Sequence, residues 1–166
     1  MTMPETSEPH AAVSMLRHTV ATLAYRAAKV LRGAPAEFAG FRASETTRTP
    51  ARILAHMGDL FDWALALADG GHAWRDSVPL PWEEEVARFF AALEAFDRRL
   101  ASGVPLGNSA GRLFSGPVAD ALTHTGQIAM LRRMFGSPVR GENYFKAAIA
   151  IGRVGRDQAG PEVEFE

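Results

Sequence analysis

Cysteine is absent from this chain of 166 residues. Disulfide bridges, zinc–thiolate sites and catalysis by a protein thiol are therefore excluded. A large charge of either sign is also missing, since 18 Lys and Arg side chains face 19 Asp and Glu side chains. Binding of nucleic acid or an anionic membrane through electrostatics requires an excess of positive charge, so the composition favours neither partner.

Long apolar runs are missing as well. No stretch approaches the roughly 20 apolar residues that cross a bilayer, and the opening residues MTMPETSEPH lack the basic and apolar regions of a secretory signal. We therefore expect a cytoplasmic protein with no membrane partner. The length is that of one domain, residues 1–166, with a hydrophobic core of its own.

Four segments repeat their apolar residues at the 3.6-residue period of an amphipathic helix. They span about residues 9–32, 50–69, 82–101 and 117–135. Thr49 and Pro50 suit a helix N-cap and first helical position, and the run Glu83–Glu85 favours a helix N-terminus. No segment alternates apolar and polar residues as a strand does. The pattern predicts an all-α four-helix bundle, then a short helix around residues 144–151 and an acidic tail.

The fourth segment, GPVADALTHTGQIAMLRRMFG, places polar side chains where its period requires core. At 100° per residue, Asp120, His124 and Gln127 fall on the same stripe as Leu131. His56 lies in the same way on the apolar stripe of the second segment. Two inward imidazoles on different helices, one with a carboxylate four residues earlier, are typical of a metal site in a bundle.

Two simpler interpretations stand beside the metal site. A single interior histidine is commonly a hydrogen-bonded core residue, and Asp120 and His124 can form an ion pair with no metal. Asp97, at the edge of the third helix's apolar stripe, is either a supporting carboxylate or a rim residue paired with an arginine. The other histidines are weaker candidates, because they fall at a helix start, an outward helix face and a loop: His10, His18 and His72.

Three stretches resemble the DinB/YfiT-like superfamily, and the resemblance covers most of the chain. They are TPARILAHMGDLFDWA on the second helix, DALTHTGQIAMLRRMFGSP on the fourth, and the RGENYF that follows. The resemblance implies an up-down-down-up four-helix bundle that forms a homodimer. Members of the family hold a divalent metal ion with one histidine of the second helix and a His-x-x-x-His pair of the fourth.

The resemblance assigns these ligand positions residue by residue. His56 matches the first histidine, and His124, directly before TGQ, matches the second histidine of the pair. Asp120 stands at the remaining position, so the implied ligand set is His56, Asp120 and His124. Two imidazoles and one carboxylate suit Zn, Ni, Mn or Fe(II). Gln127 and Asp59 are then the expected outer partners that orient the histidines.

The resemblance also implies a function. Characterised relatives include thiol-dependent S-transferases and isomerases, and some members resemble metal-dependent hydrolases. A metal-dependent enzyme that hydrolyses a small molecule or transfers a thiol is therefore expected. The alternative, favoured by aspartate at position 120, is a non-catalytic dimeric binding or stress-response module whose metal site is lost or structural. The basic stretch LRRMFGSPVR is interpreted as a solvated face, and no nucleic acid partner is expected.

Overall fold

A computed structural model describes residues 8–166, and most of them lie in helices. The helices are α1 (Glu8–Leu31), α2 (Pro50–Ala68), α3 (Trp82–Ala101), α4 (Ala110–Leu113) and α5 (Ala119–Phe135). Two short 3₁₀ turns cover Ala36–Gly40 and Tyr144–Lys146. Two strands of two residues, β1 (Gly141–Glu142) and β2 (Glu164–Phe165), pair antiparallel. The predicted all-α class is confirmed.

The start of α2 has the predicted local chemistry. The hydroxyl of Thr49 accepts a hydrogen bond from the backbone N–H of Arg52 at 3.2 Å, and Pro50 takes the first helical position. At the start of α3, the carboxylate of Glu85 is fully buried and accepts a hydrogen bond from the backbone N–H of Leu80 at 2.8 Å. The hydroxyl of Thr49 therefore caps a free N–H group of α2, whereas Glu85 fixes the residue two positions before α3.

The fourth helical segment begins earlier than predicted. The chain is already helical at Ala110, where Ser109 caps α4, and a π-helical turn over Phe114–Val118 joins α4 to α5. Pro117 lies inside this turn and not at a helix start. Proline has no backbone N–H and crowds the preceding turn, and a wider π-type turn accommodates such a residue without ending the helix.

The C-terminal region differs from the prediction in two ways. The short helix expected around residues 144–151 is only the 3₁₀ turn Tyr144–Lys146. The segment expected as an acidic tail ends in β2, where Glu164 lies opposite Glu142 of β1. The prediction of no strands was therefore wrong for these four residues. Strands of two residues are too short to show the alternation on which a sequence prediction depends.

The C-terminal segment is held on α1 by polar contacts. The buried carboxylate of Glu142 accepts hydrogen bonds from the hydroxyl of Tyr25 at 2.5 Å and from Nζ of Lys29 at 2.7 Å. Nζ of Lys29 also donates to Glu164 at 2.8 Å. Burial and the hydrogen bond to Glu142 raise the pKa of Tyr25. Burial alone lowers the pKa of Lys29, but its hydrogen bonds to the two carboxylates raise it overall.

One arginine that the sequence placed on a solvated face is buried. The guanidinium of Arg132 donates to the backbone carbonyls of Val30, Arg32 and Gly33 at the end of α1, and to Ser137. These carbonyls have no helical partner, so the side chain of Arg132 closes the C-terminus of α1 from the neighbouring helix. Arg133 is exposed as expected.

The hydrophobic core lies between α1, α2, α3 and α5. Its largest fully buried side chains are aromatic residues and leucines of these helices and of the first 3₁₀ turn: Phe38, Phe61, Phe89, Phe96, Leu23 and Leu54. No helix among residues 8–166 is both long and apolar enough to cross a lipid bilayer.

Candidate metal centre

The three predicted ligands meet at the interface between α2 and α5. His56 comes from the second turn of α2, and Asp120 and His124 come from the first two turns of α5. One ligand atom of each side chain lies within 4.8 Å of the other two. Asp120 Oδ2 is 3.1 Å from Nε2 of His56 and 3.4 Å from Nε2 of His124. The structure therefore brings the whole predicted ligand set together.

These separations fit a divalent metal ion. Nitrogen and oxygen ligands that lie about 2.0–2.2 Å from zinc are roughly 3.4 Å apart at the corners of a tetrahedron. The two distances from Asp120 Oδ2, 3.1 and 3.4 Å, are close to that separation. Two imidazoles and one carboxylate leave at least one corner for water or a substrate, and this donor set suits Zn, Ni, Mn and Fe(II).

Gln127 determines which nitrogen of His124 faces the ligand cluster. Its amide oxygen, Oε1, lies 2.7 Å from Nδ1 of His124. An amide oxygen only accepts hydrogen bonds, so Nδ1 of His124 donates to it and Nε2 is the ring nitrogen that faces Asp120. An outer hydrogen bond of this kind orients a metal-binding imidazole.

The cluster is open on one side. The side chains of His124 and His56 are 11% and 20% exposed, whereas that of Asp120 is 45% exposed. The two imidazole rings are perpendicular, with their centroids 4.9 Å apart. Solvent or a small molecule therefore reaches the cluster past Asp120, while the histidines are fixed between α2 and α5.

An aromatic wall covers His56 on the side of the loop between α2 and α3. Trp74 of this loop packs edge-to-face against the ring of His56, with centroids 5.6 Å apart, and also against Trp63 of α2. His72 is exposed and packs on Trp63 at 5.9 Å, so the structure does not place it among the ligands. The sequence did not predict a role for Trp74. The signal was an aromatic residue close to the two glycines at the start of this loop.

Asp59 was expected to orient a histidine of the cluster, but its partners are Ser77 and Arg88. Its carboxylate accepts hydrogen bonds from the backbone N–H and hydroxyl of Ser77, at 2.8 and 2.6 Å, and forms an ion pair with Arg88 at 3.1 Å. Residue 59 is rotated by about 60° from residue 56 on the helix, so it faces α3 instead of α5. Asp59 therefore anchors the loop that carries Trp74.

Arg88 of α3 completes this buried network. Its guanidinium also donates to Glu85 at 2.7 Å and to the backbone carbonyl of Ala55 at 2.7 Å. Burial lowers its pKa, but the contacts with Glu85 and Asp59 raise it overall. The network ties α2, α3 and the intervening loop together, and it reaches the backbone of α2 at Ala55, the residue before His56.

The remaining sequence candidates lie elsewhere. Asp97 is buried and pairs with Arg17 of α1 through two hydrogen bonds of 2.9 Å, so it is the arginine-paired residue and not a partner of the histidines. His18 is exposed on α1. His10 lines a different groove, beside Leu100 and the segment 103–111.

A groove of about 410 Å³ adjoins the cluster at His124. It lies between the segment that leads into α2 and the middle of α5. Its lining consists of Thr47, Arg48, Ile53, His124, Gln127, Met130 and Leu131. Both His124 and its hydrogen-bond partner Gln127 therefore face a space that is large enough for a small molecule.

Comparisons with protein-family models, with curated proteins and with solved structures found no match to this chain.

Proposed function

We propose that this chain is a divalent-metal-binding protein in which His56, Asp120 and His124 hold the ion. The observation that supports this most strongly is the convergence of the three ligand atoms from two helices to within 4.8 Å. Convergence alone is also seen in exposed acidic clusters that bind nothing. Here, however, two of the three members are inward imidazoles, and Gln127 presets the binding nitrogen of His124.

The function we propose is that of a metal-dependent enzyme, either a hydrolase or a thiol S-transferase, acting on a small molecule. A divalent ion bound at this position supplies Lewis-acid chemistry to a water molecule or a thiol. The chain itself holds the ligands: Gln127 keeps the proton of His124 on Nδ1, and the ring of Trp74 shields His56 from solvent. Substrate enters on the side of Asp120, which is the exposed ligand.

The proposal includes the DinB/YfiT-like arrangement, up-down-down-up. Contacts between the helices support these relative directions. Arg88 and Arg99 of α3 reach Asp59 and Asp69 of α2, in the same order along both helices. Arg132, near the end of α5, reaches the end of α1. His56, near the start of α2, meets the start of α5. Two turns further along α2, the ring of Trp63 lies beside Gly116, which precedes α5, so that a Cβ at Gly116 would be 3.8 Å from the ring.

A homodimer in the cytoplasm is part of the same proposal. The exposed methionines Met130 and Met134 on α5 leave apolar surface there, which supports pairing of two copies. The absence of cysteine accords with the cytoplasm. Sedimentation of the purified protein over a range of concentrations measures the association directly.

One observation favours the second function, a non-catalytic binding or stress-response module. Asp120 Oδ2 lies within reach of both imidazoles, so one carboxylate can pair with the two histidines without an ion. In a module of this kind, the cluster would stabilise the packing of α2 against α5 and would not present a metal ion to a substrate.

Metal analysis tests whether the cluster holds an ion, which the proposed enzyme requires and a module with a lost site does not. The protein, purified without a metal-affinity tag, is dialysed and titrated calorimetrically with Zn²⁺, Ni²⁺ and Mn²⁺, and with Fe²⁺ under nitrogen. We expect one ion per chain, lost in His56→Ala, Asp120→Ala and His124→Ala and retained in the control His72→Ala. Binding of none of these ions by the parent protein would contradict the metal centre and leave the structural module. Loss with both histidine variants but not with Asp120→Ala would move Asp120 out of the ligand set.

A further inference from the structure

We propose that the groove beside His124 binds a small organic anion with an apolar body, and that Arg48 holds its negative group. This inference rests on the proposed metal centre only for the reacting end of the ligand, which would lie toward His124. The shape and charge of the groove carry the rest. Its volume, about 410 Å³, is at the lower end of the range for small-molecule sites, so the ligand is small.

The walls of the groove are apolar. Ile53 of α2 faces Met130 and Leu131 of α5 across it. Ile53 and Leu131 are buried, whereas Met130 is 59% exposed and forms the outer side. A methionine side chain is flexible and adapts to the shape of an apolar ligand. Hydrocarbon or aromatic groups would therefore be favoured between these three side chains.

The charge of the groove is positive. Arg48 is the one charged side chain among the residues that line it, and no carboxylate lines it. Within residues 8–166, the guanidinium of Arg48 has no ion-pair or hydrogen-bond partner, unlike those of Arg88 and Arg99, which pair with acidic groups. A guanidinium that is not paired within the protein presents two parallel N–H donors to a carboxylate.

The backbone that carries Arg48 is fixed on both sides. Before it, Thr47 closes a turn with Ser44: the hydroxyl of Thr47 donates to the carbonyl of Ser44 at 2.9 Å and accepts from its N–H at 3.0 Å. Arg42 donates to the carbonyl of Thr47 at 3.2 Å. After it, Thr49 caps α2. A fixed backbone lowers the entropy lost when the side chain of Arg48 binds a ligand.

The polar end of the groove leads to the metal centre. His124 and Gln127 both line it, and Nε2 of His124 points toward Asp120. A divalent ion held with one carboxylate retains a net positive charge, which also favours an anionic ligand. A molecule whose carboxylate lies at Arg48 and whose apolar body lies between Ile53 and Met130 would present its other end to the cluster.

The test uses benzoate and its neutral counterpart benzamide. Each is titrated into zinc-loaded and metal-free protein labelled at the methionine methyl groups, and the methyl signal of Met130 reports binding in the groove. The variant is Arg48→Gln. The matched control is Arg52→Gln, because Arg52 is exposed one turn further along, forms no ion pair among the described residues and does not line the groove.

We expect benzoate to shift the Met130 signal and benzamide to bind more weakly. Arg48→Gln should weaken benzoate binding about fivefold, the upper end of the effect of an ion pair at an exposed side chain. Arg52→Gln should change it by less than about twofold. Equal binding of benzoate and benzamide, or equal effects of the two arginine variants, would overturn the anion site. Absence of zinc binding would overturn only the proposed metal centre, because the titration of metal-free protein still tests the groove and Arg48.

Discussion

The amide oxygen of Gln127 lies 2.7 Å from Nδ1 of His124, one helical turn away on α5. The hydrogen bond turns the other ring nitrogen toward Asp120 and His56. Gln127 is exposed, and its only side-chain hydrogen bond to a described residue is this one, so its position is explained by His124 and not by packing. The sequence pattern His-x-x-Gln therefore corresponds to an imidazole whose orientation is fixed by a hydrogen bond, as is typical of metal-binding histidines.

Removal of this hydrogen bond should weaken metal binding without unfolding the protein. We expect Gln127→Ala to lower zinc affinity by about 10- to 100-fold, as other outer partners of metal-binding histidines do. Gln127→Glu keeps an acceptor for Nδ1 of His124 and should retain most of the affinity. The control is Arg133→Ala, because Arg133 is an exposed residue of the same helix. Calorimetric titration with zinc alone measures all three, and equal affinity of Gln127→Ala and the parent would contradict the role.

The ion pair between Asp59 and Arg88 should contribute to stability and not to metal binding. Asp59→Ala removes the partner of a partly buried guanidinium and the acceptor of two hydrogen bonds from Ser77. We expect the free energy of unfolding to fall by about 3 kcal/mol, measured by urea denaturation. The loop that carries Trp74 loses its anchor, so tryptophan fluorescence should change. A loss of zinc affinity as large as that of His56→Ala would return Asp59 to the metal centre.

Gly58 and Gly126 form a matched pair for testing the same network. Both lie inside helices, where alanine is favoured over glycine by about 0.5–1 kcal/mol. A Cβ at Gly126 would meet nothing within 4 Å, so Gly126→Ala should stabilise the protein by about that amount. A Cβ at Gly58 would lie 2.8 Å from the guanidinium of Arg88. We expect Gly58→Ala to displace Arg88 and to lower stability by about 1–2 kcal/mol. Stabilisation by both substitutions would contradict a fixed Arg88.

Arg132 should be among the most sensitive positions outside the metal centre. Arg132→Met keeps much of the side-chain volume but leaves the carbonyls of Val30, Arg32 and Gly33 without these donors. We expect a loss of about 3 kcal/mol in the free energy of unfolding, since buried acceptors without partners are costly. The neighbouring substitution Arg133→Met, at an exposed position, should change stability by less than about 0.5 kcal/mol. Similar effects of the two would contradict the capping role.

The sequence predicted the helices and the cluster because both follow the same local rule. A period of 3.6 residues determines which side chains face inward, and it placed His56, Asp120 and His124 on inward stripes of two different helices. Where the prediction failed, contacts between segments distant in the chain decide the structure. Asp59 flanks the apolar stripe that contains His56, but its carboxylate bonds to Ser77 and Arg88. Arginine is usually a surface residue, but the side chain of Arg132 donates to carbonyls at the end of α1, about 100 residues earlier in the chain. Trp74 lies in a loop, where no period exists.

The two tyrosines predict how the protein responds to alkaline pH. Tyr25 and Tyr144 are the only tyrosines. Burial raises the pKa of both, and the hydrogen bond to Glu142 raises that of Tyr25 further. Since the folded state favours the neutral phenol, this stability is fully present below the ordinary pKa of 10.0 and is lost as the pH rises through the higher folded pKa. Lys29, whose pKa is also raised overall, acts in the same direction.

We therefore expect little tyrosinate absorbance at pH 10 and a steep increase at higher pH that coincides with the loss of helical circular dichroism. In Tyr144→Phe, Tyr25 alone reports, and its absorbance should still appear only as the chain unfolds. Tyr25→Phe removes a hydrogen bond from the buried Glu142 and should cost about 1–2 kcal/mol at neutral pH. A tyrosinate transition centred near pH 10 in folded Tyr144→Phe would show that the hydroxyl of Tyr25 is free, and that the C-terminal strands are not held on α1 through Glu142.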